Sequence, residues 1–176
     1  MRILASIPIY QVDAFTDKLF SGNPAAVCPL NDWLPDSDMQ AIAAENNLSE
    51  TAFINRRTSP FTIRWFTPTT EVDLCGHATL AAARILFDEY LPKESREVSF
   101  NSRRGLLKTY LKDELIYLDF PADNPVSVEE LPIINEGLQI QSVELLRGKD
   151  DYLVIFENEQ AVRSLRPDFK MLSNLD

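Results

Sequence analysis

One segment, residues 78–90, constrains the fold of this chain more than any other. It is rich in alanine and leucine, reads as the surest helix in the sequence, and has strand-like runs on both sides. Ahead of it, residues 7–15 are apolar with β-branched and aromatic side chains and read as a strand, and residues 25–30 read as its return strand after a Ser21-Gly22-Asn23-Pro24 turn. A shorter helix follows, capped by Asp36 or Ser37, with Met39, Ile42, Ala43 and Leu48 at helical spacing and Asn46-Asn47 at its end. Residues 51–55 and 61–67 make two more strands around a polar turn. Beyond the long helix, residues 96–101, 105–111 and 115–120 are strand-like, the last two joined by a tight Lys112-Asp113-Glu114 turn. The order is β-β-α-β-β-α-β-β-β. Strands outnumber helices with little of the strict alternation of a parallel sheet, so the expected class is α+β.

Pro121-Ala122-Asp123-Asn124-Pro125 breaks this pattern. Residues 1–121 are expected to form a first domain, and 122–176 the start of a second that is incomplete in this sequence. There, residues 128–138 read as a short acidic helix, 143–146 and 152–157 as strands around a Gly148-Lys149-Asp150-Asp151 turn, and 159–165 as another short helix. Two or three strands are marginal without further partners.

Charge and composition remove several functions. Seventeen Lys and Arg stand against twenty-seven Asp and Glu, a net charge of −10, and neither half of the sequence carries a basic stripe. Such a surface repels nucleic acid and anionic membranes. One histidine and two cysteines cannot supply a four-ligand Cys/His zinc site. Cys28 and Cys75 give no sign of a stapled secreted scaffold, and a reducing cytoplasm is the default compartment. No apolar run approaches the ~18–20 residues of a membrane span, and residues 1–8 lack the apolar core and cleavage site of a signal peptide.

Two constellations carry chemistry. Cys75-Gly76-His77-Ala78-Thr79 sits where a loop enters the long helix. Free amides and the helix dipole make such a junction an anion site, Gly76 allows close approach, and a cysteine there has its thiolate favoured. The plainer alternative makes Gly76 a turn residue, Cys75 a small buried side chain and His77 a cap substitute. Asn47-Leu48-Ser49-Glu50-Thr51 links the first helix to a strand, so Glu50 projects from a sheet edge. A carboxylate partly withdrawn from water there suits a general base; otherwise it is a solvated loop glutamate. Glu45 reads as surface charge. Gly22-Asn23-Pro24 can expose amides to a ligand or serve as an ordinary turn. Glu71 and Asp73 are spaced to hold a metal, but few other oxygens lie nearby in sequence. Phe15, Phe20, Trp65 and Phe66 read as core residues, and Arg103-Arg104 is too short for a nucleic-acid patch.

Five motifs occur in series: Val12-Asp13-Ala14-Phe15-Thr16, Gly22-Asn23-Pro24-Ala25-Ala26-Val27, Asn47-Leu48-Ser49-Glu50-Thr51-Ala52-Phe53, Arg64-Trp65-Phe66-Thr67-Pro68 and Glu71-Val72-Asp73-Leu74-Cys75-Gly76-His77-Ala78-Thr79. Together they resemble the first half of the PhzF-like proteins of phenazine biosynthesis, strongly over residues 7–120. The resemblance implies a diaminopimelate-epimerase-like fold, two similar α+β domains each with a curved sheet around a central helix, here residues 78–90. It implies Glu50 as acid/base, Ser49, Gly76 and His77 as pocket-lining positions, and Cys75 where related epimerases and proline racemases carry a catalytic cysteine. The family's second half carries a Gly-x-x-Glu-Asp-Pro-Val-Thr-Gly-Ser-like stretch, which supplies an Asp and a second helix N-terminus. Nothing of that kind stands after residue 125.

The activity so implied is an isomerase or epimerase that moves a proton at carbon of a small carboxylate-bearing metabolite, without a cofactor. No nucleotide-binding glycine pattern is present. Two alternatives stand beside it. One is a cysteine-based epimerase using Cys75; the other is a non-catalytic half-protein that binds a partner, either a second copy or a complementing second-half chain.

Overall fold

A computed structural model describes residues 6–175; the leader reading of the N-terminus falls largely on residues 1–5, outside them. The chain divides into two compact units, one ending at Pro121 and the other starting at Ala122.

The first unit holds β1 (Tyr10–Ala14), β2 (Asn23–Leu30), α1 (Asp36–Asn46), β3 (Glu50–Asn55), β4 (Phe61–Phe66), β5 (Glu71–Val72), α2 (Gly76–Ile85), β6 (Glu97–Ser102), β7 (Gly105–Lys112) and β8 (Leu115–Asp119). The strands form one sheet in the order β1-β2-β3-β4-β6-β7-β8, with β5 paired to β4. Neighbours run antiparallel except β2 with β3 and β4 with β6. Those two parallel pairs are bridged by α1 and α2 respectively, so each helix is a crossover inside a mixed sheet.

Strand alternation sorts the apolar side chains onto two faces. Ala25, Val27, Ala52, Ile54, Ile63 and Trp65 face α2 and join Val98, Phe100 and Leu107 in one cluster. Cys28, Leu30, Phe53 and Phe66 face the other way, against Met39 and Ala43 of α1. A helix with a broad apolar surface must be largely enclosed, and α2 buries Ala78, Ala81, Ala82, Ala83 and Ile85 while Arg84 stays exposed. It packs against β1, β2, β3 and β8, which include both ends of the sheet, so the sheet curls around it. At its far end α2 widens into a π-helical turn, Leu86–Tyr90, where the Tyr90 and Tyr10 hydroxyls lie 3.0 Å apart.

Several sequence expectations need correction. Asp36 and Ser37 are helical residues rather than caps; Pro35 holds the N-cap, and Asp36 is bound by Arg64 at 2.8 Å. Phe15 and Phe20 are not core: they are 68% and 96% exposed, in a loop where both adopt positive φ, which turns the chain away from the sheet. Trp65 and Phe66 are buried as expected. Asn47 ends α1 in the left-handed conformation, also as expected.

The second unit has a three-stranded antiparallel sheet, β11-β10-β9, formed by β9 (Val126–Ser127), β10 (Glu144–Arg147) and β11 (Tyr152–Ile155). Its helices are α3 (Pro132–Leu138), α4 (Glu159–Ser164) and α5 (Phe169–Leu172). The helix expected from residue 128 starts only at Pro132, which fills the first helical position, while Val126–Ser127 pair with β10 instead. Asn158 and Asp168 cap α4 and α5, accepting from the amides of Ala161 and Met171. No helix among the described residues is long and apolar enough to cross a membrane.

Candidate active site

The same alternation that builds the core positions the carboxylate. Glu50 opens β3 and shares the face of Ala52 and Ile54, so it points toward α2. Parallel pairing sets it beside Ala25 at the start of β2. Thr51 points the opposite way and accepts a 3.2 Å hydrogen bond from Asn46 Nδ2, which ties the end of α1 to the start of this strand.

The partner element is the first turn of α2. Cys75 is its N-cap, in extended conformation and with no side-chain cap hydrogen bond. Thr79 closes the turn: its amide and its hydroxyl both donate to the Cys75 carbonyl, at 3.2 and 2.6 Å. Gly76 is half-buried, and a Cβ added there would meet nothing within 4 Å. The helix tip therefore faces open space rather than packed side chains.

Three functional groups converge at this tip. His77 Nε2 lies 3.3 Å from Glu50 Oε2, and Cys75 Sγ lies 3.4 Å from His77 Nδ1. One donor atom from each of Glu50, Cys75 and His77 falls within 4.8 Å of the others. Although the imidazole and carboxylate are close, the ring N–H is not aligned on the oxygen, and both atoms are buried without a hydrogen-bond partner. Buried polar atoms are normally satisfied, so two facing orphans mark a place prepared for something else. His77 is 9% exposed and the Glu50 side chain 20%, which leaves access from the Glu50 side.

Burial pushes the Cys75 thiol up to about 12. The Ala78 amide opposes the rise, and the neighbouring Glu50 carboxylate adds to it. The expectation that a helix start favours the thiolate is thus overturned, because loss of water outweighs the amides. Cys28 cannot act as its partner thiol: it belongs to the cluster on the opposite face of the sheet, also with a thiol pushed up to about 12 by burial. Both cysteines are free.

Other sequence candidates resolve differently. Ser49 is exposed in the loop just before Glu50, and Glu45 is exposed on α1. Gly22 has φ +82° and an added Cβ would collide with the Ala14 carbonyl, so its role is the turn itself. Glu71 and Asp73 are engaged by guanidinium groups: Arg64 grips Glu71 at 2.7 Å, and Arg103 reaches both acids. Hydrogen bonding from Arg64 also holds the Asp36 carboxyl below its ordinary value. This network fastens β5 and the start of α1 to β4. Sequence reasoning missed Thr79 and Asn46 as supports of the site. A threonine four residues after an N-cap, able to bond back to its carbonyl, was the available signal for the first.

The profile of a family described as phenazine biosynthesis-like protein, PhzC-PhzF, matches residues 12–176. An uncharacterized isomerase of Pseudomonas aeruginosa is 48% identical over 169 residues, covering 96% of this chain and 64% of that protein. An uncharacterized isomerase of Halalkalibacterium halodurans is 43% identical over 174 residues, covering 98% and 66%. The chain thus spans slightly less than two thirds of these relatives. A crystal structure of a phenazine biosynthesis PhzF-family protein from Enterococcus faecalis superposes with TM-score 0.86 at 44% identity, covering 98% of this chain and 65% of that one. A predicted epimerase from Pseudomonas aeruginosa shares the fold with TM-score 0.76 at 20% identity, covering 92% and 63%. The α+β, diaminopimelate-epimerase-like architecture agrees with these neighbours.

Proposed function

This chain belongs to the phenazine biosynthesis-like PhzC-PhzF family, and from that premise we propose that it acts as an isomerase moving a proton at carbon of a small carboxylate-bearing metabolite. The observation that carries the reading is the pair of buried, unpartnered atoms, Glu50 Oε2 and His77 Nε2, 3.3 Å apart at the open tip of α2.

Taking a proton from carbon leaves an unstable carbanion, so the developing charge needs stabilisation in place. The free amides at the start of α2 suit a substrate carboxylate or enolate, and Gly76 leaves room for it. Glu50 takes the proton from one carbon and returns it to another on the same face, which isomerises the substrate. His77 holds its ring against the carboxylate and offers Nε2 to the reacting group. A cysteine base fits less well, since the Cys75 thiol retains its proton at neutral pH and its would-be partner Cys28 lies across the sheet. The site needs no cofactor for this chemistry.

The test is hydrogen exchange at carbon, measured by mass spectrometry on small carboxylate metabolites incubated with the protein in D2O. Glu50→Gln should lose about 10²-fold or more of the exchange, the usual contribution of a general base. Cys75→Ser should keep it. Full exchange in Glu50→Gln rejects the role of Glu50, and its loss in Cys75→Ser revives the cysteine route.

A second reading rests on a different feature of the first unit. Among the described residues the outer edges of β1 and β8 have no strand partner, and an open groove of about 720 Å³ runs between them over α2, lined by Val12, Leu80, Leu115 and Ile116 with Asp13, Asp17, Arg84 and Glu114. Such a slot, apolar with charged residues among its lining, suits a partner, a second copy or a complementing chain. Sedimentation giving a strict monomer at all concentrations argues against self-association.

A further inference from the structure

We infer that Glu50, Cys75 and His77 together form a binding site for a thiophilic divalent cation, zinc above all, which takes Glu50 out of proton transfer while it is bound. The inhibitory consequence rests on the function proposed above; the binding itself does not.

The donor set points to zinc. A thiolate, an imidazole and a carboxylate are its usual protein ligands, and three of them with one open position is the arrangement of exchangeable rather than structural sites. The sulfur disfavours magnesium and calcium, which select oxygen. The geometry is close to what is needed. Bonds of about 2.0–2.3 Å to a tetrahedral ion put its donors about 3.3–3.6 Å apart. His77 Nε2 and Glu50 Oε2 already stand at 3.3 Å, and one donor from each of the three residues lies within 4.8 Å of the others. Cys75 Sγ stands 3.4 Å from the other ring nitrogen, Nδ1, so the thiol must swing from there toward Nε2 to supply the third bond.

Two further observations point to a ligand. His77 is more than nine-tenths buried, and its Nε2 has no hydrogen-bond partner; nor has Glu50 Oε2 facing it. The space in front of Gly76, where an added Cβ would meet nothing within 4 Å, offers the fourth position to water or to a substrate carboxylate. Arginine side chains grip Glu71 and Asp73, whereas Glu50 faces His77 Nε2 and the Cys75 thiol. When the ion binds, the Cys75 S–H bond breaks, the proton leaves to solvent, and the sulfur lone pair forms the bond to the metal; no oxidation is involved.

Cobalt(II) added to the whole protein is the direct probe, because a thiolate bound to cobalt gives a charge-transfer absorption that carboxylates on an acidic surface do not. One equivalent per chain should bind with this band, and zinc should displace it. Cys75→Ala, which retains Cys28, should lose the band while keeping its far-ultraviolet dichroism. Glu50→Gln and His77→Gln should each weaken binding tenfold or more. Zinc should suppress carbon-proton exchange and a chelator should restore it. Absence of the band at millimolar cobalt, or its persistence in Cys75→Ala, overturns the site. A band that behaves as described alongside exchange indifferent to zinc overturns the inhibitory role. Absence of all exchange in the metal-free wild type, in a protein that forms the band once cobalt is added, would instead count against the isomerase reading alone.

Discussion

The two units of this chain are built to different standards. In the first, a curled sheet and two crossover helices enclose two apolar clusters, with Trp65, Phe53, Phe100, Met39, Ile54 and Ile63 fully buried. In the second, Ile134 and Leu145 are the buried apolar side chains among the described residues, while Val126, Val143, Leu153, Val162 and Phe169 are exposed. All three groups of the proposed site stand in the first unit. The contrast shows why. A carboxylate and an imidazole held unbonded at 3.3 Å require a scaffold that fixes both, and only the strand and helix flanking the larger cluster do so.

The largest effect expected of this contrast comes from core truncation. Phe100→Ala should destabilise the first unit by about 3–5 kcal/mol. Both tryptophans, Trp33 and Trp65, lie in that unit, so their fluorescence follows its unfolding specifically. Leu145→Ala should leave the tryptophan transition in place while abolishing protection of second-unit amides in hydrogen exchange. A shift of the tryptophan midpoint in Leu145→Ala would break the comparison.

Alkaline pH should separate the units next. Cys28 and Cys75 have folded-state values of about 12 against an ordinary 9.0, because burial disfavours the thiolate. The unfolded chain loses these protons first, so their contribution to stability is full below about pH 9 and falls as the pH rises toward 12. The second unit contains no cysteine and should not share this decline. Denaturation followed by tryptophan fluorescence from pH 8 upward checks the first unit, and alkylation of either thiol should remain slow until that unit opens.

The smallest structural effect is expected at Gly76. An added methyl meets open space and no positive φ forbids it, so Gly76→Ala should change stability by no more than about 1 kcal/mol and in the stabilising direction. It nonetheless fills the hollow before the helix tip. Carbon-proton exchange should drop severalfold or more, and unchanged exchange would separate Gly76 from the site.

What the sequence revealed and concealed follows from the physics of each element. The α2 segment was legible because a run rich in alanine and leucine favours helix, and most of its apolar surface is buried against the sheet. The Glu50 and Gly76–His77 neighbourhoods were legible as a strand edge and a helix start, and the family motifs brought them to one site. Burial and its consequences were not. That Cys75 keeps its proton depends on neighbours distant in sequence, among them Glu50. Phe15 and Phe20 look apolar enough for a core, but positive φ at both turns them outward, and nothing in their composition announces it. Pairing of Val126–Ser127 with β10 was hidden because two residues leave no periodicity to read.

The chain holds a single histidine, so the imidazole resonances of His77 are assigned without ambiguity. Nuclear Overhauser contacts from its ring protons to the side-chain methylenes of Glu50 measure directly whether carboxylate and helix tip share one hollow. Strong cross-peaks that persist in Cys75→Ala are predicted. Their absence, with the Ala52 and Ile54 contacts to α2 intact, would contradict the account.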